Sequence, residues 1–479
     1  MVNIHSKGRG SRLLGTGIWI WLPLFLFYST IFIGFEILNR ERELSGISYI
    51  VGFFVLSSAY LLLFKFRISR QSEILGFVFS LLVRILLVFL FPIFEDDWAR
   101  YLWDGFQTSQ GGTPYGVAPE MFFSDPDPIR SEILSRINHP DWPTIYGPIL
   151  EIYFFIIHQL LPWKLWALKF FLLIPDLGLF YLIRKKLGRS SGMLYFWNPI
   201  LLKEVFLNGH PDILGIFLLF LSFLLVKKGR IKTGFFVWGF SLATKNFGIL
   251  LFPFLILYSI KNLTRQGIWS ARNFIRSFAS GLLFSILAIA ISYLPFLIHS
   301  KETDIGIVSK FVNGFEFFPL GYSWLKFLFG DSSRYAWIGI VLGSILFFLC
   351  FGDFLSFNKD RSSFESYRFR SKFPEGRIGA IFFLFFFFSP VVNAWYLLWM
   401  LPFLVRVRRS FLPSWCFLFL GQLAYLNFAN LGDCASVLEK GYYSHPQWLL
   451  LPVSAFLWLG FLAWVGAKKL GRNSIFPAK

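Results

Sequence analysis

The chain has 479 residues, of which 56% are hydrophobic and 21% aromatic, while only 15% carry charge. A soluble globular domain carries charge on roughly a quarter of its residues, so this balance excludes that class. The formal net charge of +19 would suit nucleic acid, but Lys and Arg sit in short loops between apolar runs, so no nucleic-acid partner is expected.

Apolar runs of about 20 residues, long enough to cross the hydrocarbon core, recur from end to end. The first, 18–38, follows Lys7, Arg9 and Arg12 as a signal peptide would, but its apolar stretch is too long and no small-residue cleavage site follows. It reads as a retained span. Further spans fall near 47–64, 73–92, 165–183, 192–207, 212–226, 233–244, 246–260, 277–298, 334–357, 378–389, 395–405, 411–429 and 447–466. The expectation is an all-α polytopic protein of about 13 to 14 spans, one integral membrane domain over 1–479. Three cysteines are too few for a disulfide framework. Cys350 and Cys416 lie in apolar spans and read as small hydrophobes.

Basic loops orient the spans. Lys65, Arg67 and Arg70, the run Arg184 to Arg189, the run Lys227 to Lys232, and a loop at 358–377 are expected on the cytoplasmic side. Acids such as Glu95, Asp104, Asp125 and Asp304 gather on the other side. That side includes a large first external loop, 93–164, in which the short apolar stretch 149–161 is read as an interfacial or re-entrant helix. The phenylalanines at 382–388 are read as lipid-facing composition. No internal repeat and no hydrophilic domain is visible.

Five polar clusters remain after hydropathy, all on the expected external side. FEDDWARYLWDG closes the third span. Three adjacent carboxylates repel one another and raise at least one pKa unless a cation joins them; the plainer reading is a helix N-terminus, where the dipole favours acids. Asp97, Arg100, Tyr101 and Asp104 share a helical face, so Arg100 is expected to fold back on Asp97 or Asp104. The loop strings GGTPYGVAP and INHPDWPTIYGP carry Asn138, His139 and Tyr146, either as a binding loop or as a lid shaped by prolines. WNPILLKEVFLNGHPD places Lys203 and Glu204 inside a span and ends it at Asn208, His210 and Asp212. Ionisable residues there are costly and usually functional, the alternative being a structural Lys203–Glu204 or Glu204–His210 network. Two ligands alone, His210 and Asp212, fall short of a metal site. In SLATKNFG, Lys245 sits at a turn between short spans, against the charge trend. A phosphate of a specific lipid would explain it, as would snorkelling. SPVVNAWYLLW offers Asn393, Trp395 and Tyr396, for a sugar or for an interfacial aromatic belt.

In this order the strings EDDWARYLWDG, GGTPYGVAP, NHPDWPTIYGP, WNPILLKEVFLNGHPD, SLATK and SPVVNAWY resemble the bacterial branch of the C-type glycosyltransferase (GT-C) superfamily. More narrowly they are similar to polyprenyl-phosphate-mannose-dependent mannosyltransferases. The resemblance implies a multi-span fold with its active site in the first external loop. It also implies an inverting transfer of a hexose from a polyprenyl-phosphate sugar, without a nucleotide sugar, to a glycolipid or glycan acceptor at the outer face of the bacterial inner membrane. The family's catalytic carboxylate pair maps to Asp97 and Asp96. Glu95 departs from a strict DxD, leaving open a divalent cation (Mg or Mn) held by Glu95 and Asp97.

Such a transfer needs a base for the acceptor hydroxyl and cationic or donor groups for the departing phosphate. Asp97 suits the first role; Lys245 with Arg100 suits the second. Asn138, His139, Tyr146, Glu204, Asn208, His210, Asp212, Asn393, Trp395 and Tyr396 complete the candidate substrate-binding set. A lipid-linked sugar flippase or transporter would spread polar residues through both halves of the membrane. A polysaccharide ligase or polymerase would carry its large loop late in the chain. A structural scaffold would leave the carboxylate triplet unexplained.

Overall fold

The computed structural model describes residues 8–66, 68–300, 302–350, 374–407, 412–426 and 447–469. Most of the loop expected at 358–377, with Arg408 and Arg409, lies outside the described residues. Among those described, all regular structure is helical apart from one isolated bridge between Phe317 and Val391.

The first unit carries α1 (Gly8–Arg40), α2 (Gly46–Leu62), α3 (Arg70–Phe89), α4 (Asp97–Ser109), α5 (Pro128–Ser135), α6 (Pro148–Leu160), α7 (Leu165–Phe171), α8 (Leu173–Leu187), α9 (Arg189–Phe196), α10 (Pro199–Leu201), α11 (Asp212–Lys227), α12 (Ile231–Leu242), α13 (Phe252–Arg265), α14 (Ala271–Leu297) and α15 (Asp304–Gly314). The second carries α16 (Leu320–Phe329), α17 (Ser333–Cys350), α18 (Pro374–Phe387), α19 (Leu401–Val407), α20 (Leu412–Leu420) and α21 (Gln447–Lys469).

Among the described residues, five segments have the length and hydropathy to cross a membrane: Trp19–Arg40, Arg70–Phe89, Leu165–Leu187, Asn246–Arg265 and Ala271–Leu297. Six shorter apolar helices accompany them. On α14 the apolar side chains Ile275, Leu283, Ile286 and Leu294 are exposed, a surface that water would not tolerate and lipid would. The protein is therefore an all-α, polytopic integral membrane protein.

Local sequence sets the helix starts. The hydroxyls of Ser45, Ser69 and Ser270 each accept a backbone N–H from the first turn of α2, α3 and α14. Asp127 caps α5 in the same way, ahead of Pro128 at the first helical position. The stretch expected to span at 192–207 is instead broken. Asn198 caps a new start at Pro199, which has no N–H to give, and Leu202–Leu207 then runs as a π-helix.

The buried cations Arg84 and Lys169 inside the helical bundle are ion-paired or hydrogen-bonded, as the cost of burial demands. Arg84 of α3 meets Asp176 of α8 at 2.8 Å, and both side chains are wholly buried. The guanidinium also reaches the Phe196 carbonyl at 2.8 Å, and the Tyr195 hydroxyl donates to Asp176. Lys169 of α7 donates to the carbonyls of Leu87, Leu90 and Leu207, at 3.0, 2.6 and 3.2 Å. These three bonds tie the exit of α3 to the end of the π-helix, the two places from which the candidate site is built.

In the second unit the phenylalanines correct the sequence reading. Phe382, Phe383, Phe386 and Phe387 are buried rather than lipid-facing. Phe383 stacks on Phe461 of α21 with centroids 5.1 Å apart, and Phe387 stacks on Trp458 at 5.7 Å. Aromatic pairing between helices gives such a run a core to fill.

Candidate active site

The site begins where α3 ends. Phe94 adopts a left-handed backbone (φ 54°), held with its ring edge-on to Tyr49 at 5.3 Å. Glu95, Asp96 and Asp97 follow, and α4 starts at Asp97. The dipole at this N-terminus favours negative charge. Asp96 stands at the N-cap, yet its side chain makes no cap bond; it is turned toward another segment.

That segment is the loop 137–147. His139 takes a left-handed backbone (φ 46°) just after Asn138. The Asn138 amide donates to Asp96 Oδ1 at 2.6 Å and to Asp97 Oδ1 at 3.1 Å. The other oxygen of Asp97, Oδ2, receives the hydroxyls of Tyr146 at 3.2 Å and Tyr101 at 3.4 Å. Both oxygens of Asp97 are thus oriented by three side chains from two segments, the loop 137–147 and α4. Tyr101 also lies 3.2 Å from His210 Nδ1.

His210 belongs to the turn after the π-helix, whose wide winding brings Lys203, Glu204 and His210 together. Its Nε2 stands 3.7 Å from Glu95 and 3.8 Å from Glu204, and Lys203 meets Glu204 at 3.1 Å. Asn208 holds the frame: its side-chain oxygen accepts the Ile93 N–H at 3.0 Å, just before the acidic triplet. Lys245 grips both oxygens of buried Asp212, at 3.0 and 2.8 Å.

Burial pushes the Asp96 carboxyl up to about 7, and the charge of Asp97 adds to the effect while Asn138 opposes it. Glu95 is raised well above the usual carboxylate range, first by burial and then by Asp97 and Asp96. The triplet therefore does not carry three charges near neutrality. Burial holds the imidazoles of His139 and His210 below their ordinary value. Among the described residues, Glu95, Asp96 and Asp97 form the one group of three or more potential metal ligands in which one oxygen from each lies within 4.8 Å of the others. An all-oxygen set suits a hard divalent cation such as Mg or Mn.

Other expected site residues have partners of their own. Arg100 turns along α4 to Asp104, at 2.8 Å, and donates to the Trp142 carbonyl at 2.9 Å, bracing helix against loop. The His139 ring lies beside Trp142, 5.5 Å between centroids. Asn393, Trp395 and Tyr396 belong to the second unit, where both aromatic side chains are buried. The contacts of Tyr101 escaped the sequence reading, although its spacing of four from Asp97 placed both on one face.

One glycine clamps the site. The N–H of Ile149, in the first turn of α6, donates to the Ala243 carbonyl at 3.0 Å, and a Cβ on Gly147 would stand 2.4 Å from that same carbonyl oxygen. Only glycine lets Tyr146 approach the turn that carries Lys245. Gly147→Ala should displace the loop and lower turnover about 100-fold, the scale of a misplacement near 1 Å. An unchanged kcat in a folded Gly147→Ala protein would detach this loop from the reaction.

Residues 28–261 match the family model for the N-terminal domain of alpha-(1->6)-mannopyranosyltransferases (MptA_B family). That stretch is thus similar to the N-terminal domain of a GT-C-like mannosyltransferase family. The matched stretch contains the carboxylate triplet, Asn138, Tyr146, His210 and Lys245. No curated protein and no solved structure matches the chain.

Proposed function

We propose that the protein moves mannose from a polyprenyl-phosphate mannose to a hydroxyl of a lipid- or glycan-linked acceptor, at the non-cytoplasmic face of the bacterial inner membrane. The observation that carries this reading is Asp97, whose two oxygens are aimed by Asn138, Tyr146 and Tyr101 at the head of α4. Asp97 takes the proton of the acceptor hydroxyl as its oxygen bonds to the anomeric carbon. The bond from that carbon to the phosphate oxygen breaks, and its electron pair leaves with the polyprenyl phosphate. Lys245 faces the departing phosphate, with Asp212 setting the position of its ammonium. Glu95, Asp96 and Asp97 are the residues that would hold a divalent cation, which would add charge for the leaving phosphate. The transfer inverts, so an α-linked product of the kind named for the family requires a β-linked donor.

The test is turnover by purified protein of polyprenyl-phosphate [³H]mannose with an alkyl α-mannoside acceptor. Labelled α-(1→6)-linked product, and none from a nucleotide-linked mannose, is the expected result. Transfer from the nucleotide sugar alone would sink the reading.

Sidedness has its own test. In a cysteine-free background, Cys in place of exposed Ser124 should react with an impermeant thiol reagent on intact cells, while Cys in place of exposed Lys228 should not. The reverse pattern would put the site on the cytoplasmic face.

A further inference from the structure

We propose that Glu151 is a positioning residue for the general base, holding Thr144 and through it the Tyr146 hydroxyl against Asp97. The proposal rests on the role of Asp97 given above. Glu151 is wholly buried one turn into the apolar helix α6, a placement that costs free energy unless the carboxyl is bonded. Its Oε1 accepts the Thr144 hydroxyl at 2.8 Å. A hydroxyl has one proton, so giving it to Glu151 leaves the lone pairs of Thr144 to face the loop. There they accept the Tyr146 N–H at 3.2 Å. The Tyr146 carbonyl accepts the Tyr115 hydroxyl at 3.1 Å. Phe154, one turn further along α6, meets the edge of the Tyr146 ring at 5.8 Å. Helix α6 therefore holds Tyr146 through Thr144 and through the Phe154 ring, and the far end of that side chain is the phenol on Asp97.

The second oxygen of Glu151, Oε2, is buried with no donor bonded to it among the described residues. It faces Asp104, with Arg100 and Asp304 also acting on it. Two adjacent carboxylates in apolar surroundings do not both stay ionised. A proton on Oε2 resolves both problems, because Glu151 then donates to Asp104 and still accepts from Thr144. A carboxamide at 151 can do the same: its oxygen accepts and its NH₂ donates.

The experiment is a kinetic cycle on the full chain, with polyprenyl-phosphate mannose and an alkyl α-mannoside. Glu151→Ala and Tyr146→Phe should each lower kcat about 10- to 100-fold, the range for losing one hydrogen bond to a charged group. Donor KM should stay within about threefold, because ground-state binding is untouched. The double variant should be no slower than the slower single, within about threefold, because both substitutions remove one linkage. Thr144→Val, which deletes the linking hydroxyl and keeps the shape, should match Glu151→Ala, and Glu151→Gln should keep kcat within about threefold of the wild type. Melting in detergent checks that each variant is folded. Losses that multiply in the double variant, or a Glu151→Gln protein as slow as Glu151→Ala, overturn the proposal. The base assignment fails separately, if Asp97→Asn run alongside keeps wild-type turnover.

Discussion

Asp97→Asn should lower turnover by about 10²–10⁴-fold, the usual contribution of a general base, while donor binding persists. The amide keeps the shape and one hydrogen-bond acceptor but cannot take the acceptor's proton. Asp96 is the serious rival, because a carboxyl pushed up to about 7 is matched to proton transfer at neutral pH. What separates them is orientation. Asp96 is held through one oxygen by Asn138, whereas Asp97 is held through both, with two phenols on Oδ2. Glu95 is drawn instead toward His210. Asp96→Asn should therefore cost less than Asp97→Asn, unless a cation bridges the pair; the loss would then vary with added Mg²⁺ or Mn²⁺. Near-wild-type turnover in Asp97→Asn with loss in Asp96→Asn moves the base by one residue. Activity in all three single variants, Glu95→Gln included, removes the glycosyltransferase mechanism altogether.

Lys245→Gln should weaken donor use about 10- to 150-fold, the cost of one charge-assisted contact. The structure adds a complication that the sequence alone does not show. The ammonium is bonded to both oxygens of Asp212, whose side chain is wholly buried while that of Lys245 is 16% exposed. Removing the lysine strips a buried carboxylate of this cation, and breaking such a pair is destabilising by about 3–5 kcal/mol. A drop in activity by itself would not separate phosphate binding from a broken pair. The variant Asp212→Asn with Lys245→Gln does, since it carries no orphaned charge. If Lys245 serves the phosphate, donor KM stays high in this double variant although the melting temperature recovers. Recovery of both reduces Lys245 to the partner of Asp212.

The helical, membrane-spanning character and the clustering of acids after the third span were legible in the sequence, because both depend on local pattern. Apolar runs of about 20 residues mean the same thing wherever they fold, and the spacing of four between Arg100 and Asp104 makes their ion pair a property of one helix. The order of the polar strings was enough to suggest the family. Long-range pairing was not legible, because it depends on which helix faces meet. Nothing in SLATKNFG says that the anion beside Lys245 is Asp212, 33 residues earlier, nor that Tyr101 reaches His210 across 109 residues. Composition also misplaced the phenylalanines at 382–388: a hydropathy scale gives an aromatic ring the same value against lipid as against Phe461 and Trp458. Glu151 was hidden for the same reason, as a lone acid in an apolar stretch whose meaning rests on Thr144 and Asp104 being folded onto it. The sequence determined which residues are costly to bury, and the tertiary structure decided what each is buried against.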